Sequence, residues 1–341
     1  MTPFEYVRGD TVDAALRACA APCGGNGTDH VRPPAQYLAG GTNLLDLMKI
    51  GVMQPEVLVH INGLGDGCRD IRVEAAGLHL GALARMSEVS EHPAVKRDYP
   101  AIHDALWQAA SPQLRNMGSM AGNALQRTRC NYFRDVSWPC NKREPGTGCS
   151  AKEGRNRRLA VLGVSEHCIA SYPGDLGHVL AAFGATLDVV GLDGQRRTLA
   201  FEELHRLPGD TPHIETNLHP GDLITAFHVP AGPWTRRSLY LKIRDRASYE
   251  FALASAVVGL DLDGETVREA RIGLGGVTAR PWRSHEAEQA LRGRRLDEAT
   301  AMQAADAAFA GAVTHGDNAF KPELGRRTLV RALLEAAGLE A

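Results

Sequence analysis

Four of the seven cysteines lie within one stretch of 39 residues, separated by gaps of nine, eight and eighteen residues. Four thiolates that converge on one point can hold an iron–sulfur cube or a tetrahedral zinc ion. The gaps match neither the short paired spacing of common zinc sites nor the ferredoxin run. The spacing alone therefore leaves a cluster, a structural zinc and unligated thiols open. The four are Cys130, Cys140, Cys149 and Cys168.

Two glycine-bearing turns are the second chemical signal. Leu38–Leu45 reads Leu-Ala-Gly-Gly-Thr-Asn-Leu-Leu, and Ser119–Asn123 reads Ser-Met-Ala-Gly-Asn. Glycine after a strand lets successive backbone amides point at one anion, and Thr42 and Asn43 add side-chain donors. No nicotinamide fingerprint and no Walker-type phosphate loop occurs. A dinucleotide would therefore need another fold, although each turn taken alone also fits a loop without a ligand.

The elements that must position these residues follow from the hydrophobic pattern. A strand is expected over Gln36–Ala39, ending at the glycine pair, and a helix over Asn43–Ile50. Proline and glycine make Pro22–Pro34 a predicted loop and Pro230–Pro233 the predicted domain boundary. Beyond that boundary, Leu239–Ile243, Phe251–Leu262 and Glu269–Leu274 are predicted as antiparallel strands. The last helix carries an apolar stripe of Val330, Leu333, Leu334 and Ala337.

Size and composition limit the classes of function. At 341 residues the chain can hold two or three cores, and 44% hydrophobic with 23% charged residues is ordinary for a globular protein. The net charge of −2 gives no reason to expect nucleic acid, and no apolar run long enough for a membrane span occurs. The N-terminus has no secretory pattern. No serine–histidine–aspartate triad and no zinc-protease motif was found.

Taken together, these motifs resemble the FAD-binding subunit of the molybdenum hydroxylases, the xanthine dehydrogenase and carbon monoxide dehydrogenase group. Leu38–Leu45 is similar to the first FAD motif of that family, and Met120–Asn123 to the second. The resemblance implies an α+β chain with a vanillyl-alcohol-oxidase-type (PCMH-like) FAD-binding fold followed by a small α+β C-terminal domain. It places the two-part FAD domain at 1–229 and the C-terminal domain, of the CO dehydrogenase flavoprotein type, at 234–341.

One sub-family is more similar. Thr128–Cys130, Pro139–Arg143, Gly148–Cys149 and Ser165–Ala170 resemble the flavin subunit of bacterial periplasmic aldehyde oxidoreductases. The resemblance implies that an insertion at about 127–169 carries a [4Fe–4S] cluster held by the four cysteines.

The resemblance also implies the FAD contacts. The first motif would hold the pyrophosphate, the second the phosphates and flavin edge, and the remaining residues the ring and ribityl end. Met120 and Ala121 depart from the usual β-branched residue and glycine of the second motif. The implied contacts are Tyr37, Leu38, Ala39, Gly40, Gly41, Thr42, Asn43, Leu44, Leu45, Ser119, Gly122, Asn123, Asp175, Ile224 and Lys242. Lys242 also begins a segment rich in charged and aromatic residues, which a solvated strand edge would explain equally well.

The function implied by the resemblance is electron transfer in a heterotrimer. A large partner with the molybdenum cofactor would oxidise an aldehyde to a carboxylic acid, and a small ferredoxin-like partner would pass electrons through [2Fe–2S] clusters. FAD on this chain would deliver them to an external acceptor, with no catalytic residue expected here. Export to the periplasm on a partner's twin-arginine signal is expected, with the cytoplasm as the alternative. A xanthine dehydrogenase-like flavin subunit, a stand-alone flavin oxidase with structural zinc and a non-catalytic assembly subunit stay open.

Overall fold

The structure, a computed structural model, describes residues 1–23, 30–65 and 67–339. Its strands are β1 Glu5–Arg8, β2 Ala35–Leu38, β3 Val57–His60, β4 Ile71–Glu74, β5 Gly77–Gly81, β6 Thr186–Val190, β7 Arg196–Ala200, β8 Leu223–Pro230, β9 Ser238–Ile243, β10 Ala254–Asp263, β11 Thr266–Gly275 and β12 Trp282–Arg283. Its helices are α1 Val12–Cys23, α2 Leu44–Lys49, α3 Met86–Glu91, α4 Pro93–Asp98, α5 Pro100–Trp107, α6 Pro112–Met117, α7 Met120–Ala124, α8 Asn131–Arg134, α9 Leu176–Ala182, α10 Phe201–Leu204, α11 His285–Leu291, α12 Glu298–Phe309 and α13 Lys321–Ala337.

The N-terminal unit is a small parallel sheet in the order β1-β3-β2, with α1 packed against it. Thr11 begins α1 because its Oγ1 accepts the Ala14 N–H at 3.2 Å. The predicted loop over Pro22–Pro34 is wrong at its start, since α1 continues through Pro22 to Cys23. Residues 24–29 of that prediction lie outside the described part of the chain. The predicted strand and helix around the glycine pair are confirmed as β2 and α2.

The second unit is a five-stranded antiparallel sheet in the order β4-β5-β8-β6-β7. Its core is formed with helices α3, α5, α7 and α9 and includes the buried rings of Tyr99, Phe183 and Phe227. The residues that precede β8, the central strand of this sheet, lie next to β2, because the Tyr37 hydroxyl donates to the Gly221 carbonyl. This arrangement brings the segment before Leu223 to the same cleft as the glycine turns.

The third unit begins after β8 and contains the antiparallel sheet β12-β11-β10-β9 under α11, α12 and α13. The antiparallel pairing is confirmed, but the predicted strand over Phe251–Leu262 starts only at Ala254. In α13 the predicted apolar stripe is partly wrong. Leu333 is fully buried, whereas Leu334 keeps 39% of its surface exposed.

The cysteine-bearing insertion contains little regular structure, as its weak periodicity predicts. Only α8 is helical, and turns connect the rest. The insertion nevertheless has a hydrophobic core of its own, in which Phe133 and Ile169 are buried against Leu47 of α2. A buried core without a sheet explains how this segment can hold a defined shape. The same short helix, α2, thus joins the first glycine turn to the insertion.

Candidate functional site

The first glycine turn connects β2 to α2 and leaves backbone donors free. Gly41 adopts a φ of 75°, which favours glycine, and its carbonyl accepts the Leu45 N–H at 3.0 Å. Within the described part of the chain, the N–H groups of Thr42, Asn43 and Leu44 donate to no protein acceptor. Consecutive free amides on a tight turn form a nest that suits an anion such as a pyrophosphate.

The second turn differs because its amides are already used. Met120 N–H donates to the Ala84 carbonyl and Ala121 N–H to the Ala82 carbonyl, while Ser119 Oγ accepts the Gly122 N–H at 3.2 Å. The Oδ1 atom of Asn123 is buried and lacks a hydrogen-bond partner among the described residues. The second turn therefore offers side chains and a close backbone surface to a ligand, rather than a nest of amides.

The two turns touch directly at Gly40. A Cβ atom on Gly40 would lie 1.8 Å from the carbonyl oxygen of Met117, just before the second turn. Arg85 donates to that same Met117 carbonyl and, through Nη2, to Asn62 Oδ1 at 2.8 Å. Asn62 in turn donates to the Ala39 carbonyl at 2.7 Å. Arg85 and Asn62 thus fix the spacing of the two turns.

A cavity of about 300 Å³ lies between the turns and the start of β8. Such a cleft is at the small end of ligand-binding cavities. Tyr37 closes one side by donating its hydroxyl to the Gly221 carbonyl at 2.7 Å. Of the residues implied by the resemblance, ten line this cavity: Tyr37, Ala39, Gly40, Gly41, Thr42, Asn43, Leu44, Ser119, Gly122 and Ile224.

The remaining implied residues lie outside that cavity. Leu38 and Leu45 pack beside Gly41, and Asn123 is the last residue of the second turn, within α7. Asp175 and Lys242 form a buried pair elsewhere, with Lys242 Nζ 2.7 Å from Asp175 Oδ2 and only 1% and 5% of the two side chains exposed. Their assignment as FAD contacts stays a prediction.

The buried pair belongs to a larger polar network. Tyr240 donates its hydroxyl to Asp175 Oδ1 at 2.5 Å, and Lys242 also donates to the Gln108 carbonyl at 3.2 Å. Burial and the Asp175 carboxylate raise the pKa of Tyr240, so its hydroxyl stays a proton donor. Alternation along β9 places Tyr240 and Lys242 on the same face of the strand. Breaking such a pair leaves an uncompensated buried charge.

A second cavity, of about 250 Å³, opens beside Asp175. Four of its lining side chains are arginines from the insertion, and Phe251 forms part of its wall. We call it the arginine cavity; its arginines are Arg129, Arg155, Arg157 and Arg158.

The four cysteines converge in the core of the insertion. Cys130, Cys140 and Cys168 are buried together there, and Cys149 packs against them. An isolated β-bridge places Cys140 opposite Cys149, and a second joins Ser165 to Cys168. All seven cysteines of the chain are free thiols. The described residues contain no group of three or more histidine, cysteine, aspartate or glutamate side chains placed for a single metal ion.

Burial sets the protonation of these thiols in the absence of a metal. It raises the pKa of Cys130 to about 12 and that of Cys168 to about 11, with a smaller opposing effect of Lys142 on Cys168. Neutral thiols are therefore expected until a metal displaces the protons. Arg143 donates to the Tyr132 and Phe133 carbonyls and braces the loop, and its charge opposes part of the rise in the pKa of Cys140 that burial causes.

Several residues of the site carried no signal in the sequence. Asp46 of α2 accepts from Arg129 Nη1 at 2.8 Å and Arg134 Nη1 at 2.7 Å, on both sides of Cys130. Arg85 and Asn62 were missed because their partners lie more than twenty residues away. For Asp46, the sequence predicts only that its side chain lies on a different face of α2 from that of its neighbour Leu47.

Comparison with known proteins identifies the class. Residues 2–232 match the family described as the FAD binding domain in molybdopterin dehydrogenase, and residues 239–337 match the CO dehydrogenase flavoprotein C-terminal domain. The chain therefore belongs to the FAD-binding subunits of the molybdenum hydroxylases. This confirms the resemblance and the predicted fold class.

Individual relatives are consistent with that family. The chain is 42% identical to the aldehyde oxidoreductase FAD-binding subunit PaoB of Escherichia coli K12, covering 98% of this chain and 99% of the relative. It is 25% identical to the glyceraldehyde dehydrogenase medium chain of Sulfolobus acidocaldarius, covering 86% and 83%. Among solved structures, the carbon monoxide dehydrogenase of Hydrogenophaga pseudoflava aligns with a TM-score of 0.73 and 25% identity, covering 98% and 97%.

The comparisons leave the insertion and its metal without a test. FAD and an oxidoreductase role follow from the family, whereas the [4Fe–4S] cluster stays a prediction. Within residues 1–23, 30–65 and 67–339, no helix has the length and apolar character needed to cross a bilayer.

Proposed function

We propose that this chain is the electron-transferring flavin subunit of a heterotrimeric, molybdenum-dependent aldehyde oxidoreductase. The observation that carries the proposal is the free amide nest at the first glycine turn, in a chain 42% identical over 98% of its length to an aldehyde oxidoreductase FAD-binding subunit. Aldehyde oxidation would occur on a partner with the molybdenum cofactor, and a partner with [2Fe–2S] clusters would bring the electrons here.

The work of this chain is to bind and position FAD, which supplies the electron-accepting and electron-releasing chemistry. The amides of Thr42, Asn43 and Leu44 would hold the pyrophosphate, and Ser119 and Gly122 would close over it from the other side. Arg85 keeps the two turns at a fixed separation through its bonds to Met117 and Asn62. Asp175, Lys242 and Ile224 would contact the remainder of the cofactor.

We further propose that Cys130, Cys140, Cys149 and Cys168 hold a [4Fe–4S] cluster. Cys130, Cys140 and Cys168 share one buried core and Cys149 packs against it, which supports a common metal centre. A tetrahedral zinc ion with bonds of about 2.3 Å would need thiolates less than about 4 Å apart. A cube instead spreads its ligands over four irons. Metal analysis distinguishes the two, since a cube brings four irons and a zinc site one zinc ion.

The first experiment is metal and cofactor analysis of the purified complex and of this chain. About four irons with acid-labile sulfide and one FAD per chain are expected. Flavin with zinc and no iron would contradict the cluster and favour a stand-alone flavin oxidase, which should turn over substrate without partners. A chain that purifies without flavin from an active complex would contradict the proposed function and favour an assembly role.

The periplasm is the proposed compartment, with the partner's twin-arginine signal as the route. Fractionation of cells that express all three subunits tests this. Activity retained in the cytoplasm when the partner's signal is intact would contradict export.

The choice between an aldehyde and a purine-type substrate is tested by comparing benzaldehyde with hypoxanthine as electron donor. Turnover of hypoxanthine alone would support the xanthine dehydrogenase alternative.

A further inference from the structure

We propose that the arginine cavity is the binding site for a multivalent anionic electron acceptor. This inference rests on the proposed function and deepens it by assigning the charge class of the acceptor. The cavity opens at the surface between the insertion and the β9–β10 loop, and Asp175 lines it.

The charge around the cavity is positive. Its lining contains four arginines and one carboxylate, Asp175. Counting every charged side chain that lines the cavity or pairs with one that does, five cations face four carboxylates, so an excess of one positive charge remains. A concave site of one sign concentrates oppositely charged ligands and speeds their arrival. The cations are Arg129, Arg155, Arg157, Arg158 and Lys242, and the carboxylates are Asp46, Asp175, Asp245 and Glu250.

Two of the arginines build the wall of the site. Arg157 makes a bidentate contact with Asp245 at 3.0 and 3.1 Å, and Arg158 makes another with Glu250 at 3.1 and 3.2 Å. These pairs hold the β9–β10 loop against the insertion. Bidentate pairs fix the orientation of both side chains. The cavity therefore has a preformed shape, rather than being a loose cluster of surface charges.

Other donors in the cavity are free to bind a ligand. The exposed Arg155 guanidinium has no side-chain partner within the part of the chain that the structure describes. Guanidinium groups bind carboxylate, phosphate and similar anions through parallel N–H donors. An anion in the cavity would satisfy donors that the protein leaves open.

The floor of the cavity leads to the proposed flavin contacts. Asp175 is bonded to Lys242 at 2.7 Å and to Tyr240 at 2.5 Å. Arg129 also lies over the ring of Phe251, 5.4 Å from its centroid, which fixes that guanidinium at the cavity wall. An acceptor bound here would lie against Asp175, one of the residues proposed to contact the cofactor, on the side open to solvent.

The overall reaction balances with a one-electron acceptor of this class. An aldehyde and one water give a carboxylic acid, two electrons and two protons. Two acceptor anions each take one electron, and the two protons leave to the solvent. Ferricyanide, a trianion that takes one electron, is a suitable probe acceptor. The neutral control acceptor is 1,4-benzoquinone, one molecule of which takes both electrons and both protons to give hydroquinone. The redox-inert trianion hexacyanocobaltate(III) measures binding without turnover.

The experiment uses the complete complex at low ionic strength and compares Arg155→Gln with the charge-retaining Arg155→Lys. We expect Arg155→Gln to lower kcat/KM for ferricyanide at least about threefold and to weaken hexacyanocobaltate(III) binding by a similar factor, while kinetics with benzoquinone stay unchanged. Arg155→Lys should behave much like the unaltered protein. Added salt should reduce the ferricyanide effect. Arg327→Gln, on the exposed face of α13, is the matched control and should change neither probe.

Two failures can be told apart. If the complex contains FAD and oxidises aldehyde, but Arg155→Gln leaves both ferricyanide kinetics and hexacyanocobaltate(III) binding unchanged, the acceptor site is wrong. Equal losses with ferricyanide and benzoquinone would also overturn it, since they would indicate a general defect. A complex without FAD would overturn the proposed function itself, whatever the variants do.

Discussion

The first glycine turn, called here the cradle (Gly40–Leu44), and the cysteine-bearing insertion (127–169) differ in the kind of atom that would bind their ligands. The cradle is made of backbone: free amides at Thr42–Leu44 and a contact at Gly40 that no side chain could share. The insertion is made of side chains, since four thiols from distant positions meet in a core with Phe133 and Ile169. A backbone site depends on shape and fails when atoms are added. A side-chain site depends on chemistry and fails when one ligand atom is changed.

The largest effect should follow from adding one carbon to the cradle. In Gly40→Ala the new Cβ meets the Met117 backbone oxygen at 1.8 Å, so the two turns must separate. We expect loss of bound FAD and destabilisation of about 3 kcal/mol, measured by flavin absorbance and thermal unfolding. Gly311→Ala, where a Cβ would meet no atom within 4 Å, should change neither. Full flavin content in Gly40→Ala would show that the cradle is not where the cofactor binds.

The next effect separates the two regions. Cys140→Ser should remove most of the iron, because serine replaces one of four ligands, but FAD should stay because no cradle residue is altered. Iron, sulfide and flavin analysis of the same preparation measures both. Cys68→Ser, which changes a buried thiol outside the insertion, is the control and should keep the iron. Full iron content in Cys140→Ser would contradict the ligand assignment, and loss of flavin would contradict the independence of the two sites.

A third prediction concerns how the insertion is anchored to the C-terminal unit. Lys321 is fully buried and donates to the Leu159 carbonyl at 2.9 Å and the Gly276 carbonyl at 2.7 Å. Burial lowers the pKa of Lys321 to about 7 from its ordinary 10.5. Between these values the unfolded chain binds more protons than the folded one, so the free energy of unfolding should rise with pH.

The difference between the unaltered protein and Lys321→Met isolates this contribution. We expect the variant to lose a slope of at most about 1.4 kcal/mol per pH unit between pH 7 and 10.5, measured by urea unfolding at several pH values. Lys96→Met, at an exposed lysine paired with Glu91, should keep the slope. An unchanged slope in Lys321→Met would show that Lys321 stays charged in the folded protein.

The smallest effect tests the second turn. Ser119 Oγ accepts the Gly122 N–H at the start of α7, so Ser119→Ala should cost about 1 kcal/mol and weaken FAD binding without abolishing it. Thermal unfolding and flavin titration measure the two quantities, with the exposed Ser137→Ala as control. If Ser119→Ala were as damaging as Gly40→Ala, the second turn would depend on one side-chain oxygen as strongly as the first depends on its backbone shape, and the ranking of the two effects would be wrong.

Sequence reasoning located the strand, turn and helix around Gly40–Gly41 because those signals are local. It also selected the cysteines that the fold brings together, because a cluster of one residue type is visible without coordinates. It misjudged the end of α1, where packing of Cys23 in the N-terminal core outweighs the proline at Pro22. It gave no indication that Arg143 would brace the loop, since its acceptors are carbonyls defined only by the folded path of the chain.

The sequence by itself determined the family, the fold class and the residues with chemical potential, because motif order and residue type are properties of the chain. Only the tertiary structure decided how those residues are used. It showed that the first turn has free amides while the second has none to spare between Met120 and Asn123, and that Asp175 pairs with Lys242. It also created the arginine cavity from the insertion and the β9–β10 loop. Hydrogen-bond satisfaction and charge pairing depend on distances between remote segments, and no local pattern encodes those distances.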